Sequence, residues 1–185
     1  MNGLDASIFR AINTGWANTA LDPVMLALTT LGTGAAQAAI GLLLITIGWW
    51  ADWANTRRAG YAGLIAWAVS TIVVQLGKEL WNRPRPVLVL HDVRMVCDPL
   101  FSNSFPSGHT SAAFAVAVAC SMFIPRLAFI LIPLAIAVGI SRVYVGAHFP
   151  LDVAFGAVLG TIIGLAAARI VRTHRSNRKA SPEAD

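Results

Sequence analysis

Residues 150–171 read PLDVAFGAVLGTIIGLAAARIV, with one acid near the start, Asp152, one base near the end, Arg169, and no charge between them. At 1.5 Å per residue a helix of this length runs about 33 Å, enough to cross the ~30 Å hydrocarbon layer of a bilayer. Pro150 suits the first helical position, where its missing N–H costs nothing. This stretch therefore places the chain in a membrane.

The same reading extends outward along the chain. Residues 35–50, 60–80 and 108–124 are further apolar segments, and 127–142 is a fifth, with Pro133 a candidate kink. Residues 20–31 open on Asp22-Pro23, a helix start, and end at Gly32-Thr33-Gly34, a break. At about 14–18 Å that helix is too short to span alone. It is either half of one broken helix running to Trp50 or a half-buried sixth segment. The expected fold is all-α, a polytopic transmembrane bundle of five to six helices. It forms one domain over 1–175 with a polar, disordered tail over 176–185.

Composition agrees. The 185 residues are 56% hydrophobic and 12% charged, with mean hydropathy +0.65, whereas soluble domains carry about a quarter charged residues. The net charge of +5 is spread rather than gathered in a patch, which argues against a nucleic-acid partner. Arg57, Arg58, Arg126 and the tail bases fall, by parity, on one side of the membrane. The positive-inside rule makes that side cytoplasmic, flanked by Trp49, Trp50 and Trp53. The opposite, external side receives the loop 82–107. Residues 1–15 lack the basic-then-apolar order of a cleaved signal peptide. Cys97 lies in a loop and Cys120 about 16 Å into a helix, too far apart for a disulfide; neither has metal-ligand spacing. Nothing in the sequence specifies an oligomer.

Three polar clusters interrupt the external helix ends: Lys78 to Pro86, Pro106-Ser107-Gly108-His109, and Ser141-Arg142 with His148 and Asp152 following. Each residue has an ordinary explanation. Lys78 can snorkel to the headgroups, Ser107 can be an N-cap, and His148 with Asp152 can stabilise a helix start. Their convergence on one face is harder to explain that way. Lys78, Arg85 and Arg142 together are three cations beside a low-dielectric slab, and they repel one another unless an anion binds among them. Arg can meet two phosphate oxygens at once, and the helix start at Ser107-Gly108 offers free N–H groups. His109 beside that turn suits acid–base work. Asp152 can orient His148 through one ring nitrogen and leave the other as a lone pair aimed at phosphorus.

Lys78-x6-Arg85-Pro86, Pro106-Ser107-Gly108-His109 and Ser141-Arg142-x5-His148-x3-Asp152 resemble the three-part signature of the type 2 phosphatidic acid phosphatase superfamily. The resemblance implies a membrane enzyme that hydrolyses a lipid phosphate or diphosphate without cofactor or metal, through a covalent phosphohistidine. Carried over, His148 is the nucleophile, Asp152 its orienting partner and His109 the proton donor. Lys78, Arg85, Ser107, Gly108 and Arg142 hold the phosphoryl oxygens. The implied substrate is a polyprenyl diphosphate, phosphatidylglycerophosphate or phosphatidic acid, met at the external face of a bacterial plasma membrane, with the C-terminus cytoplasmic. Two other readings compete: vanadate-dependent oxidation on the same cradle, as in the soluble haloperoxidases, and lipid-phosphate binding or transport without catalysis.

Overall fold

The computed structural model describes residues 3–98 and 102–180, the side chains of 174–180 excepted. Among these residues the regular structure is all helical: α1 (Gly3–Asn13), α2 (Asp22–Leu31), α3 (Gly34–Trp50), α4 (Ala54–Leu80), a short α5 (Pro86–Val89), α6 (Gly108–Ser121), α7 (Ala128–Tyr144) and α8 (Pro150–Ala180), with a 3₁₀ turn at Pro125–Leu127 leading into α7. Every apolar segment expected from the sequence is a helix. By length and composition, three of them can cross a membrane alone: α4, the 3₁₀ turn with α7, and α8. The pair α2 and α3 makes a fourth if its 59° bend is counted as one broken span. α6, at 14 residues, reaches only about 21 Å. The expected boundary at 175/176 is not a helix end, because α8 continues to Ala180; residues 181–185 lie outside the described residues.

α6 is the axis of the bundle, packed against α4, α7 and α8. Its sequence is rich in Ala, Ser and Thr, and most of it is buried. In hydrocarbon there is no hydrophobic force to drive helices together, so small residues that admit close van der Waals approach take over. α8 supplies the matching face with Gly156, Gly160 and Gly164. A Cβ on Gly156 would stand 2.8 Å from the Ser107 carbonyl oxygen, on Gly160 2.2 Å from that of Ser111, and on Gly164 2.6 Å from that of Ala115. On the other side of α6 the buried hydroxyls of Ser70 and Ser111 bond at 2.8 Å. The outward faces carry exposed Leu42, Leu43, Ile72, Phe129, Ile162 and Ile170, as a lipid-facing surface requires.

The 59° bend between α2 and α3 leaves α2 packed on α7. Its exposed backbone is satisfied locally: the Thr33 hydroxyl accepts from Ala36 N at 3.3 Å, and Gln37 Nε2 donates to the Leu31 carbonyl at 2.7 Å. Such repair is what lets a helix break near hydrocarbon. α1, unforeseen in the sequence, packs on α7 as well. Its buried Asn13 donates to the carbonyls of Arg94 and Tyr144 and accepts from Arg94 N at 2.7–2.9 Å. At the opposite end of the bundle, Asn55, Arg58, Met122, Phe123 and Arg172 line one cavity, and Arg58 and Arg126 both line another. Cys97 and Cys120 are free thiols, Cys120 donating to the Ala59 carbonyl at 3.4 Å.

Replacing Gly160 with Val should force α6 and α8 apart and cost about 3 kcal/mol, as overpacking does. Thermal unfolding in detergent should show a clearly lower midpoint. The outward-facing Val158→Leu, 59% exposed, should stay within about 0.5 kcal/mol of the parent. Equal midpoints for Gly160→Val and the parent would mean that the backbones are not in contact there.

Candidate active site

The α6–α8 contact brings two helix starts together, and Ser107 N donates to the Asp152 carbonyl at 3.1 Å. Ser107 itself is not an ordinary N-cap. Its hydroxyl pairs with that of Thr110 at 2.9 Å and makes no bond to the backbone N–H groups of the first turn. That leaves the N-terminal donors of α6, beginning at Gly108, unclosed by a side-chain cap. His109 sits in this turn with its ring against the α2–α3 break, where a Cβ on Gly32 would come within 3.1 Å of His109 Cδ2. It is within electrostatic reach of Arg142, His148, Lys78 and Arg85.

His148 and Asp152 flank the start of α8 and are both buried. The expected direct bond between them is not formed. His148 Nδ1 lies 3.7 Å from Asp152 Oδ2, too far for a hydrogen bond. The Ser104 hydroxyl stands between them, 2.5 Å from Asp152 Oδ2 and 3.4 Å from His148 Nδ1. A carboxylate can only accept, so Ser104 donates to it and turns a lone pair toward the ring. Nδ1 then carries the proton, and the lone pair of Nε2 is left facing Arg85. Asp152 also accepts from Phe149 N at 2.9 Å and from Arg83 Nη1 at 2.5 Å.

The cations divide into two groups. Arg10 pairs with Asp92, Arg94 with Asp22, and Arg83 with both Asp5 and Asp152. Lys78, Arg85 and Arg142 have no carboxylate within ion-pair distance among the described residues. Arg85 is 2% exposed and held by backbone and hydroxyl oxygens: Nε donates to Ser102 O at 2.8 Å, Nη1 to Ala147 O at 2.7 Å and Nη2 to Ser102 Oγ at 3.0 Å. Burial pulls its pKa down, and Nη1 lies 3.4 Å from His148 Nε2. Arg142, also 2% exposed, reaches Thr29 Oγ1 at 3.4 Å and leaves Nε without a partner. Lys78 is within electrostatic reach of both arginines. An isolated buried charge costs several kcal/mol. Two buried guanidiniums beside the half-buried Lys78, with one N–H unmet, are what a doubly negative tetrahedral oxyanion would neutralise.

All eight residues singled out in the sequence thus lie at one end of the bundle. The sequence reading did not single out Asp5, Ser104 or the role of Arg83. Arg83 had a local cue, standing two residues before Arg85 in the run Arg83-Pro84-Arg85-Pro86. Ser104 had none beyond its closeness to Ser107, and Asp5 lies in a helix that was not foreseen.

The sequence model of one family, described as the PAP2 superfamily, matches residues 59–176. The bacitracin transport permease protein BcrC of Bacillus licheniformis is 33% identical over 127 residues, 69% of this chain; the match spans 61% of that protein. The undecaprenyl-diphosphatase BcrC of Bacillus subtilis is 30% identical over 164 residues, covering 87% of this chain and 81% of the relative. Among solved structures, LpxE of Aquifex aeolicus superposes with a TM-score of 0.76 at 29% identity, over 91% of this chain and 96% of the other.

Burial, with the charges of Arg142 and Arg85, pushes the His148 pKa down to about 4, against the opposing pull of Asp152. The neutral imidazole should therefore persist at pH 5.5, where an ordinary histidine of pKa about 6.5 is some nine-tenths protonated. An NMR titration of ring nitrogens in the detergent-solubilised protein should show His148 neutral at that pH. A midpoint near 6.5 would contradict its buried, cation-flanked setting.

Proposed function

Because this chain belongs to the PAP2 superfamily, we propose that it is an integral-membrane phosphatase acting on a lipid phosphate or diphosphate through His148. One observation carries the reading: the unprotonated Nε2 of a buried neutral histidine faces Arg85 at 3.4 Å, and that arginine has no carboxylate partner among the described residues. A phosphate seated among Lys78, Arg85, Arg142 and the start of α6 would present phosphorus to that lone pair. Positioned cations stabilise the charge that builds on the equatorial oxygens.

In the reaction, Nε2 forms a bond to phosphorus as the bond to the lipid oxygen breaks. His109 gives its proton to that oxygen and frees the alcohol or lipid monophosphate. Water, deprotonated by His109, then attacks the phosphohistidine; the N–P bond breaks and inorganic phosphate leaves. Asp152, through Ser104, holds the ring and balances the positive charge it carries while phosphorylated. The three cations supply the electrostatic role that a metal ion fills elsewhere, so the cycle as written needs none. The name of the Bacillus subtilis relative favours a polyprenyl diphosphate substrate; phosphatidylglycerophosphate and phosphatidic acid share the same chemistry. Within a bundle of five to six membrane segments, the basic turns at Arg57, Arg58 and Arg126 and the C-terminus would face the cytoplasm, and the site would face outward.

The permease name of the Bacillus licheniformis relative keeps binding or transport as a second reading. Two histidines at the cradle favour catalysis, since binding needs only the cations.

His148→Ala should lower phosphate release at least 1,000-fold, as loss of a covalent nucleophile does (order of magnitude from), while the protein still purifies as a folded species. A panel of prenyl diphosphate, phosphatidylglycerophosphate and phosphatidic acid in detergent is the assay. Retained turnover in His148→Ala would sink the nucleophile assignment. EDTA should leave the parent rate unchanged; a rate restored only by added metal would overturn the metal-free cycle.

A further inference from the structure

We infer that Asp5 and Arg83 are positioning residues for the proposed reaction: α1 holds Arg83, and Arg83 holds the carboxylate that orients the nucleophile. The inference rests on the phosphatase reading given above.

The geometry is a closed chain of contacts. Asp5 is 2% exposed and accepts from Leu151 N at 3.0 Å through one oxygen and from Arg83 Nη2 through the other. Arg83 spends its second terminal nitrogen, Nη1, on Asp152 Oδ1 at 2.5 Å. Its guanidinium lies over the Phe149 ring, 4.6 Å from the centroid, and Phe9 of α1 packs on that ring at 5.6 Å. Both terminal nitrogens of Arg83 donate to carboxylates that pair its charge, unlike the charges of Arg85 and Arg142. Its effect on the reaction passes through Asp152.

Two physical consequences follow. Asp152 Oδ2 serves Ser104 and Phe149 N, and a carboxylate held only by one oxygen can still turn about its own axis. Arg83 fixes the other oxygen and stops that rotation, which would carry Oδ2 away from the Ser104 bridge to His148. The second consequence is one of charge. Arg83 alone would cancel the charge of Asp152 at the ring that must bear a positive charge when phosphorylated. Asp5 returns the trio to a net single negative charge. An exposed basic residue in a loop needs no such partner; a half-buried arginine paired with two buried acids from chain positions 5 and 152 is built for a fixed orientation.

The experiment uses the full chain in detergent with two probes, phosphatidic acid and farnesyl diphosphate, each followed by phosphate release and by trapped phosphohistidine. Asp5→Asn should lower kcat about tenfold and Arg83→Gln about 100-fold, the scale of a misplaced catalytic group. KM should stay within about twofold, because the phosphate ligands are untouched. The double variant should be no slower than Arg83→Gln alone, and Arg83→Lys and Asp5→Glu should each recover part of the loss. Single-turnover phosphorylation of His148 should slow in the same proportion. Should Arg83→Gln fail to fold, Asp5→Asn against Asp5→Glu decides: equal losses in both overturn the inference. Parent kcat in Asp5→Asn, a loss confined to KM, or losses that multiply in the double variant would also overturn it while leaving His148-dependent turnover intact. A parent protein inert toward both probes, with no phosphohistidine, would instead overturn the phosphatase reading and this inference with it.

Discussion

Contact between two backbones makes this molecule possible. Gly156, Gly160 and Gly164 of α8 lie so close to the carbonyls of Ser107, Ser111 and Ala115 that no side chain fits between them. In hydrocarbon, such contact replaces the hydrophobic force that water provides elsewhere. It also sets function, because the uppermost of these contacts, Gly156 on Ser107, adjoins the starts of both helices. There the uncapped first turn of α6 meets the His148–Asp152 turn, joined by the bond from Ser107 N to the Asp152 carbonyl. The proposed phosphate cradle and nucleophile are therefore parts of one packing event rather than separate additions to a scaffold.

Around that junction, charge is sorted by partner. The arginines that shape the end of the bundle are neutralised: Arg94 by Asp22, Arg10 by Asp92, Arg83 by Asp5 and Asp152. Arg85 and Arg142 are buried against carbonyls and hydroxyls instead. Carbonyl dipoles fix a guanidinium in place without cancelling its charge, so the site is rigid and still strongly attractive to an anion. The unmet Nε of Arg142 belongs to the same pattern. A structural salt bridge would have left neither the charge nor the donor free.

Much of this was legible in the sequence because its signals are local. Uncharged runs such as 153–168 announce helices, and proline and glycine mark their ends. Parity alone carries Lys78, His109 and His148 to one face. What was not legible depends on distances that parity does not measure. The Ser104 hydroxyl lies between His148 and Asp152, and nothing in a four-residue spacing announces an inserted third group. Asp5 stands 147 positions from Asp152 in the chain, in a helix too short to register as a span. α6 read as an ordinary span over 108–124, yet its helix ends at Ser121, and its alanine-rich length is mostly enclosed by α4, α7 and α8. The α2–α3 ambiguity had a physical root as well. A break repaired by Thr33 and Gln37 looks the same in sequence whether the pair continues straight or bends by 59°.

The acid–base–acid trio of Asp5, Arg83 and Asp152 bears on why a largely buried ionic group persists where apolar packing would serve stability equally well. Replacing such groups with well-packed hydrophobic residues is often neutral or stabilising, by about 1–4 kcal/mol, so stability does not explain the trio. Hydrophobic contacts such as Phe9 on Phe149 hold α1 in place but leave the rotation of a side chain undetermined. Hydrogen bonds to both oxygens of Asp152 determine it. The trio also requires both chain ends. Its acids arrive on α1 and α8, and the arginine between them sits in the loop that leads from α4 to Arg85. The orientation of Asp152 therefore depends on contacts that α1, the loop after α4 and α8 make together.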